Sequence, residues 1–434
     1  MDNPSLKLQE IMGTYYPNFL EIYVNTDKAV VLHKLSKKEV GRHSFYEWIH
    51  FIQDITTSFG CYNAYVYFES FLSLGKKAME EKDGISGSVS LDNSTNVFTN
   101  RYLLNNGWGS VANFPFSAIT QCVNQSIRVP QYLVTDPSIT EIPQCLVTTD
   151  AGKTFQFGAL HIMESMASLC QRVLFPESEG SHPIHPYHIA EMIAELYSPE
   201  FAKNKLNIIA LCDVSLMCSV PGAQFVSYLA RIRNKEVPLP VCPEDIYDYY
   251  LKNHNYLPSY SEICEKTRHH FKGVLKDPKA FAAYRTWIDN AYDVAWDLRN
   301  NHPYFILDLL KCNNLLDAYS SFSNLFFKLG TPLLRNNQNE YNKYPLNASN
   351  KSWDVEFMQP IKHIGNMLVG GKRSCALKEW CRKSEEELVK QGCSEGMPCH
   401  VDERCDMNPS LRSLDKIRCP LGFVWYALGI PLMK

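Results

Sequence analysis

The segment 43–74 carries polar side chains on a helix that is apolar on most sides. Its apolar residues recur with helical periodicity, and a break is predicted near Gly60. Four polar residues fall at positions i, i+4, i+7 and i+11 and form one stripe on this helix: His43, Glu47, His50 and Asp54. Burying Glu beside His costs free energy unless each group is paired, hydrogen-bonded or bound to metal. The sequence therefore predicts the functional centre on this helix, in the stretch YEWIH at 46–50.

Two later helices carry similar pairs of polar residues. His161 and Glu164 are three apart in FGALHIMESMASLC, and His188 and Glu191 are three apart in PYHIAEMIAELY. Each pair can be a satisfied core network, with helix dipoles and backbone carbonyls as partners. Alternatively, the pairs converge with Glu47 on one polar cavity, to which His161 and His188 would contribute nitrogen ligands.

The hydrophobic patterns predict a mainly α protein with a minor β part, an α+β fold. Runs rich in β-formers at 19–24 and 28–35 indicate an N-terminal hairpin, and 144–149 with 154–157 indicate a second. Residues 80–127 are rich in Gly, Ser, Asn and Thr and predict loops with short strands. A helix is predicted from Gly158 to about Phe175, and successive helices from Tyr187 to about Leu334.

A polar, Asn-rich stretch at 335–353 predicts a loose linker between two regions. The first region is a mainly helical core at 1–335 that includes the N-terminal hairpin. The second, at 336–434, is the linker followed by a helical tail rich in cysteine.

Six of the 15 cysteines fall in this tail, close to His400. Five of them follow one another at intervals that include three gaps of five residues, and these predict a possible structural zinc site: Cys375, Cys381, Cys393, Cys399 and Cys405. The sixth is Cys419. Because strong zinc signals have two residues between paired cysteines, free buried thiols remain the competing interpretation. Disulfides are disfavoured, since an odd cysteine count without a secretion signal indicates a reducing compartment.

The charge and composition of the chain restrict the classes of partner that we expect. The chain has 43 Lys and Arg against 46 Asp and Glu, a formal net charge of −3, which gives no electrostatic reason to expect nucleic acid or an anionic membrane. The N-terminus lacks the basic and apolar regions of a signal peptide, and no apolar run is long enough to span a bilayer. We therefore expect a cytoplasmic protein; its oligomeric state is not predicted.

The stretch HSFYEWIHFIQDITTSFG resembles the active-site helix of gluzincin-type zinc metallopeptidases, whose pattern is H-E-x-x-H. The segment IMESMAS resembles the later helix of that family, which supplies a glutamate ligand. Together the two resemblances cover about 30 residues. They imply a zincin-like helical core, a zinc cofactor and a protein or peptide substrate or partner.

Carried over by position, the resemblance assigns metal binding to His50 and Glu164 and the general-base role to Glu47. This sequence departs from the family at the first histidine, where it has Tyr46. A tyrosine binds zinc poorly unless it is deprotonated, and its reference pKa is about 10. His43 cannot replace it, because seven helical residues place it about 10.5 Å along the axis from His50.

Two alternatives follow from the same residues. A catalytically inactive zincin-like protein would keep the fold and act as a binding or scaffold protein. A ferritin-like di-iron oxidase or oxygenase would use two irons, because Glu47 and His50 form the Glu-x-x-His pair of such sites. The other two pairs run in the reverse order, His before Glu.

Overall fold

The computed structural model describes most of the chain. The described residues are 13–16, 21–24, 38–81, 83–91, 96–130, 132, 138–176, 182–277, 279, 281–311, 321–322, 324–325, 327–330, 333–337, 341–342, 353–390 and 400–434. Within them the fold is mainly helical with two small sheets, which confirms the predicted fold class.

The helices follow one another with little intervening strand. They are α1 (Lys38–Thr56), α2 (Ser58–Glu80), α3 (Asn96–Trp108), α4 (Ala159–Leu174), α5 (Ile184–Tyr187), α6 (Ile189–Tyr197), α7 (Pro199–Ala202), α8 (Lys205–Ser215), α9 (Pro221–Arg233), α10 (Glu244–His254), α11 (Tyr256–Val274), α12 (Ala282–Asn301), α13 (Phe305–Leu310), α14 (Trp353–Gly370), α15 (Lys378–Lys390), α16 (Arg404–Met407), a 3-10 helix (Pro409–Leu414) and α17 (Pro420–Leu428).

The strands form two sheets of different make-up. The first has the order β1 (Gly13–Tyr16), β2 (Glu21–Val24), β6 (Leu333–Arg335) and β7 (Tyr341–Asn342), and the second the order β3 (Ile119–Arg128), β4 (Glu141–Thr149) and β5 (Thr154–Phe157). In the first sheet β2 pairs antiparallel with β1 and parallel with β6. The second is wholly antiparallel, and β5 leads through Gly158 directly into α4.

Helix α1 lies in the middle of the core, packed against α2, α4 and α12. Thr57 ends it and caps α2, since its hydroxyl accepts from the Gly60 N–H at 3.1 Å. A Cβ at Gly60 would lie 2.3 Å from the Asp54 Cα, so only glycine permits this close approach of the two helices. The predicted break in this segment is confirmed, although it falls at Thr57, three residues before the predicted position.

A buried ion pair fixes the end of α1. Arg299 on α12 and Asp213 on α8 share two N–O contacts of 2.7 Å, and both side chains are 1% exposed. The same guanidinium donates to the Thr56 hydroxyl at 2.9 Å, and the Tyr247 hydroxyl donates to Asp213 at 2.8 Å. Because every partner lies on a different helix, this network holds the C-terminus of α1 against the core.

The C-terminal region packs against the core. The backbone of Val89 donates to Leu368 at 2.7 Å, and Ile85 exchanges hydrogen bonds with Leu432 and Lys434 at the end of the chain. Buried residues of α14 and α17 belong to the same hydrophobic cluster as those of α1 and α4. Of the predicted linker, 338–340 and 343–352 lie outside the described residues; its first residue belongs to β6, 341–342 form β7, and its last residue begins α14.

Several predicted elements are confirmed and others corrected. The hairpin at 144–157 appears as β4 and β5, and the helix predicted from Gly158 is α4. The prediction of loops at 80–127 was wrong at 96–108, which form α3. The predicted strand at 19–24 contains β2, whose antiparallel neighbour is Gly13–Tyr16; its predicted partner at 28–35 lies outside the described residues. No helix in the described residues is both long and apolar enough to cross a membrane.

Candidate active site and metal ligands

Helices α1 and α4 bring the predicted functional residues to one place. Tyr46, Glu47 and His50 lie on α1 and are buried, with residue exposures of 7%, 6% and 6%. Glu164 lies on α4, and its side chain is 24% exposed. The site is therefore enclosed by the core, and Glu164 is the most exposed of the four residues.

Two side chains of α1 meet the same oxygen of Glu164. The Tyr46 hydroxyl donates a short hydrogen bond to Glu164 Oε2. The His50 Nε2 atom lies 3.6 Å from that oxygen, which is an ion-pair separation longer than a hydrogen bond. Positions 46 and 50 are one helical turn apart, so both side chains point from the same face of α1 toward α4.

Gln53 orients the imidazole of His50. Its amide nitrogen donates to the Met163 carbonyl at 3.0 Å, which leaves its Oε1 as the acceptor for His50 Nδ1 at 2.8 Å. The His50 Nδ1 atom therefore carries a proton, and Nε2 is directed toward Glu164. A hydrogen bond on the remote ring nitrogen is the usual way in which proteins orient a metal-binding histidine.

The electrostatics of the site follow from burial and mutual attraction. Burial alone would lower the pKa of His50, but the charges of Glu164 and Glu47 outweigh it and raise the pKa to about 9. Burial alone would raise the pKa of Glu164, but the charge of His50, the hydrogen bond from Tyr46 and the charge of His182 lower it. At neutral pH the metal-free site thus holds a protonated His50 beside an ionised Glu164.

Burial and the charge of Glu164 raise the pKa of Tyr46 well above its ordinary value. The phenol consequently stays protonated and acts as a hydrogen-bond donor. Glu47 adds its negative charge to this effect and also raises the pKa of Tyr187, after burial and Glu164. Glu47 is thus electrostatically coupled to both Tyr46 and His50.

The segment before α6 supplies site residues that the sequence reasoning missed. The His182 ring stacks on Tyr46 with centroids 5.4 Å apart and on Tyr187 with centroids 4.6 Å apart. Its Nε2 atom contacts Gln171 Oε1 at 2.9 Å. The one signal in the sequence was that histidines stand among the prolines of the loop at 176–186; nothing there indicated that the loop returns to α1.

His161 and His188 have other partners. His161 is fully buried on α4, and its Nε2 atom lies 3.0 Å from His185 Nε2. Burial and the neighbouring charge of His185 lower the pKa of His161 well below its ordinary value. Among the described residues, neither His161 nor His188 forms a hydrogen bond or ion pair with His50 or Glu164.

His188 forms a structural triad with Glu191 and Arg172. Its Nδ1 atom lies 3.1 Å from the Glu191 carboxylate, which also accepts a short contact from Arg172. The Glu191 carboxylate is thus paired with His188 and Arg172. Among the described residues, the three His/Glu pairs of the sequence have separate hydrogen-bond and ion-pair partners.

The tail cysteines are divided between described and undescribed residues. Cys375, Cys381 and Cys405 are described, together with Cys419, while Cys393 and Cys399 lie outside the described residues. No disulfide joins any of the described cysteines. Within the described part of the chain, no three or more His, Cys, Asp and Glu side chains already stand in a metal-binding arrangement.

No protein-family model matches the sequence, and neither a curated protein nor a solved structure shows significant similarity to the chain.

Proposed function

We propose that this chain is a metallopeptidase-like protein in which His50 and Glu164 bind zinc and Glu47 is the general base. The observation that carries the proposal is the meeting of His50 Nε2 and the Tyr46 hydroxyl at one oxygen of Glu164. Two positions one turn apart on one helix and a glutamate on another are the ligand arrangement of the gluzincin pattern.

The separation of the two strong ligands fits a shared ion. Zinc–nitrogen and zinc–oxygen bonds of about 2.0–2.2 Å at a tetrahedral angle place two ligand atoms roughly 3.4 Å apart. The 3.6 Å between His50 Nε2 and Glu164 Oε2 is close to this value. The hydrogen bond that His50 Nδ1 donates to Gln53 Oε1 supports the same assignment, because it presents Nε2 as the ligand atom.

The proposed reaction is hydrolysis of a peptide bond. When bound, zinc would polarise the substrate carbonyl and acidify water in the site. Glu47 would take a proton from the attacking water and deliver it to the leaving amine, while the water oxygen forms the new carboxylate. Burial raises the pKa of Tyr187 above its ordinary value, so its phenol stays protonated and would donate to a developing oxyanion.

Tyr46 favours a second candidate, an inactive zincin-like protein that binds a polypeptide without cleaving it. The protonated phenol donates to the carboxylate that must bind the ion, and His50 neutralises the same carboxylate. Zinc would have to displace a proton from His50 and a hydrogen bond from Tyr46. Tyr46→His restores the family pattern and separates the candidates: for an inactive relative, zinc uptake rises only in this variant.

The test compares zinc content and hydrolysis in full-length variants. We expect wild type to hold about one more zinc per chain than Glu164→Gln or His50→Ala, because each substitution removes one of two strong ligands. Glu47→Gln should retain that zinc but lose about 100-fold or more of the hydrolysis of a fluorogenic casein. Glu195→Gln, at an exposed position of α6, is the matched control and should change neither quantity.

Other results would decide against the proposal. Equal zinc content in wild type and Glu164→Gln would show that Glu164 does not bind zinc. No zinc at this site in wild type, with uptake only in Tyr46→His, would favour the inactive candidate. Two irons per chain would favour the oxidase or oxygenase.

A further inference from the structure

Four cysteines from separate segments of the tail line one small cavity. Cys375 precedes α15, Cys381 lies on α15, Cys405 on α16, and Cys419 is the N-cap of α17. The backbone of Cys375 donates to the Cys405 carbonyl at 2.6 Å, which ties the first segment to the third. Of these residues Cys381, Cys405 and Cys419 are buried, each 7% exposed.

The size and lining of the cavity restrict what it can hold. Its volume is about 10 Å³, roughly the space of a single water-sized sphere, so an organic ligand does not fit. The other lining side chains include Leu377, Val401 and Leu421, which exclude water from the thiols. A single soft metal ion suits a small apolar cavity lined by four sulfur atoms.

We propose that Cys375, Cys381, Cys405 and Cys419 form a structural zinc site that joins α15, α16 and α17. A tetrathiolate set fills all four tetrahedral positions and leaves none open for a substrate, as in structural sites. The four thiols need side-chain rotation to reach the ion, since no three described ligands already stand in metal-binding geometry. Cys419 was absent from the ligand set predicted by spacing.

The surroundings of the thiols suit thiolate ligands. The Gly422 N–H donates to Cys419 Sγ at 3.4 Å, at the N-terminus of α17, where the helix dipole favours negative charge. The backbone of Leu377 donates to the Cys375 thiol. Backbone N–H donors of this kind stabilise sulfur in its charged, metal-binding form.

Positive charge is placed beside the cavity. A zinc ion with four thiolates carries a net charge of −2, which is costly to bury without compensation. Arg412 lines the cavity with its side chain 5% exposed, and it pairs with Asp402 and Asp415. Burial opposes its charge, but Cys419, Asp402, Cys405 and Asp415 together raise its pKa. Lys378 lines the cavity as well and pairs with Asp406 at 2.8 Å.

The Cys375 thiol must lose its proton before it can bind a metal ion. Burial raises the pKa of Cys375 to about 12, so without a metal this thiol stays protonated at neutral pH. A bound zinc ion releases such protons, and its affinity therefore rises with pH. His400 also lines the cavity, but its side chain is 72% exposed and its Nδ1 atom pairs with Glu385 at 3.0 Å, which favours the four thiols as ligands.

The test measures zinc in the full-length protein, purified under reducing conditions. Cys405→Ser and Cys419→Ser should each lose about one zinc per chain relative to wild type. Cys242→Ser, which alters a thiol ahead of α10, is the matched control and should retain it. The Glu164→Gln variant should keep the tail ion, so failure here is distinguishable from failure of the proposed function.

Cobalt replacement gives a readout that does not depend on a variant folding. The wild-type protein stripped of metal and titrated with Co²⁺ should develop the intense thiolate-to-cobalt absorption of a tetrahedral sulfur site. Cys419→His should retain the ion with a shifted spectrum. No such absorption, zinc unchanged in Cys405→Ser and Cys419→Ser, or zinc lost only in Cys393→Ser and Cys399→Ser would each overturn the assignment.

Discussion

Two buried ion pairs, both in contact with α1, differ in how completely their charges are satisfied. Arg299 and Asp213 share two contacts of 2.7 Å and are 1% exposed; Arg299 also donates to the Thr56 hydroxyl, and Asp213 accepts from Tyr247. His50 and Glu164 share one contact of 3.6 Å, and the Glu164 side chain is 24% exposed.

This difference supports the proposal that one pair is structural and the other binds a metal ion. The Arg299 pair is closed to water and to any ligand, and its guanidinium cannot lose its proton at accessible pH, so it can only hold helices together. The His50 pair has a longer contact, a partly exposed glutamate and an imidazole that can titrate, so under the proposal a metal ion exchanges with its proton. Burial of charge is common to the two pairs; they differ in how completely the charges are satisfied.

The largest effect on the free energy of unfolding is expected from removing Arg299 from its ion pair with Asp213. Arg299→Met should lower the free energy of unfolding by about 3–5 kcal/mol, because Asp213 is left as an uncompensated buried charge. Urea denaturation measures this loss. Arg382→Met is the matched control, since that arginine pairs with Glu379 at the surface, where both side chains are about half exposed, and should cost less than ~1 kcal/mol. Equal losses in the two variants would contradict the distinction drawn between the pairs.

The His50–Glu164 pair should make the free energy of unfolding depend on pH in a range where the Arg299–Asp213 pair does not titrate. Burial opposes protonation of His50, but Glu164 and Glu47 raise its folded-state pKa to about 9, above the unfolded value of 6.5. Its contribution is therefore complete below pH 6.5 and is lost as pH rises toward 9. We expect the metal-free protein to lose roughly 2–3 kcal/mol of unfolding free energy between about pH 6.5 and 8.5.

The control for this pH dependence is Glu164→Gln, measured with a chelator present. Without the carboxylate, burial dominates the pKa of His50 and the loss over this range should largely vanish. Thiols and other groups titrate alike in both proteins, so the difference between the curves reports His50. The same slope in wild type and Glu164→Gln would show that His50 is not held in its charged form.

The sequence predicted the location of the candidate site from patterns that are local in the chain. The stripe of polar residues through Glu47 and His50 requires only helical periodicity, and Glu164 came from a second local pattern. The sequence did not reveal two long-range contacts. The His182 ring stacks on Tyr46, and His161 pairs with His185 instead of His50. No spacing rule encodes contacts made by a loop after it leaves its helix.

Helix α3 shows the same limit for the fold. Its sequence, NVFTNRYLLNNGW, is rich in asparagine and lacks a clear apolar stripe, so it was predicted as loop. Contacts with other elements stabilise it: Tyr62 on α2 donates to the Asn100 carbonyl at 3.0 Å. A Cβ at Gly107 would lie 2.8 Å from the Phe59 ring, so this end of the helix packs directly on α2. Tertiary contacts here outweigh the weak local preference.

The smallest expected effect comes from removing the tyrosine hydroxyl that donates to the carboxylate of each ion pair. Tyr46→Phe removes the hydrogen bond to Glu164, but water can reach that carboxylate, so the loss of unfolding free energy should be about 1 kcal/mol or less. Tyr247→Phe removes the bond to the fully buried Asp213 and should cost about 1.5–3 kcal/mol, since water cannot replace the lost donor. Urea denaturation of both variants at pH 7 measures the difference. If Tyr46→Phe lowers the free energy of unfolding as much as Tyr247→Phe, the Glu164 carboxylate is closed to solvent and to ligands. A metal ion then cannot exchange with the His50 proton at this site.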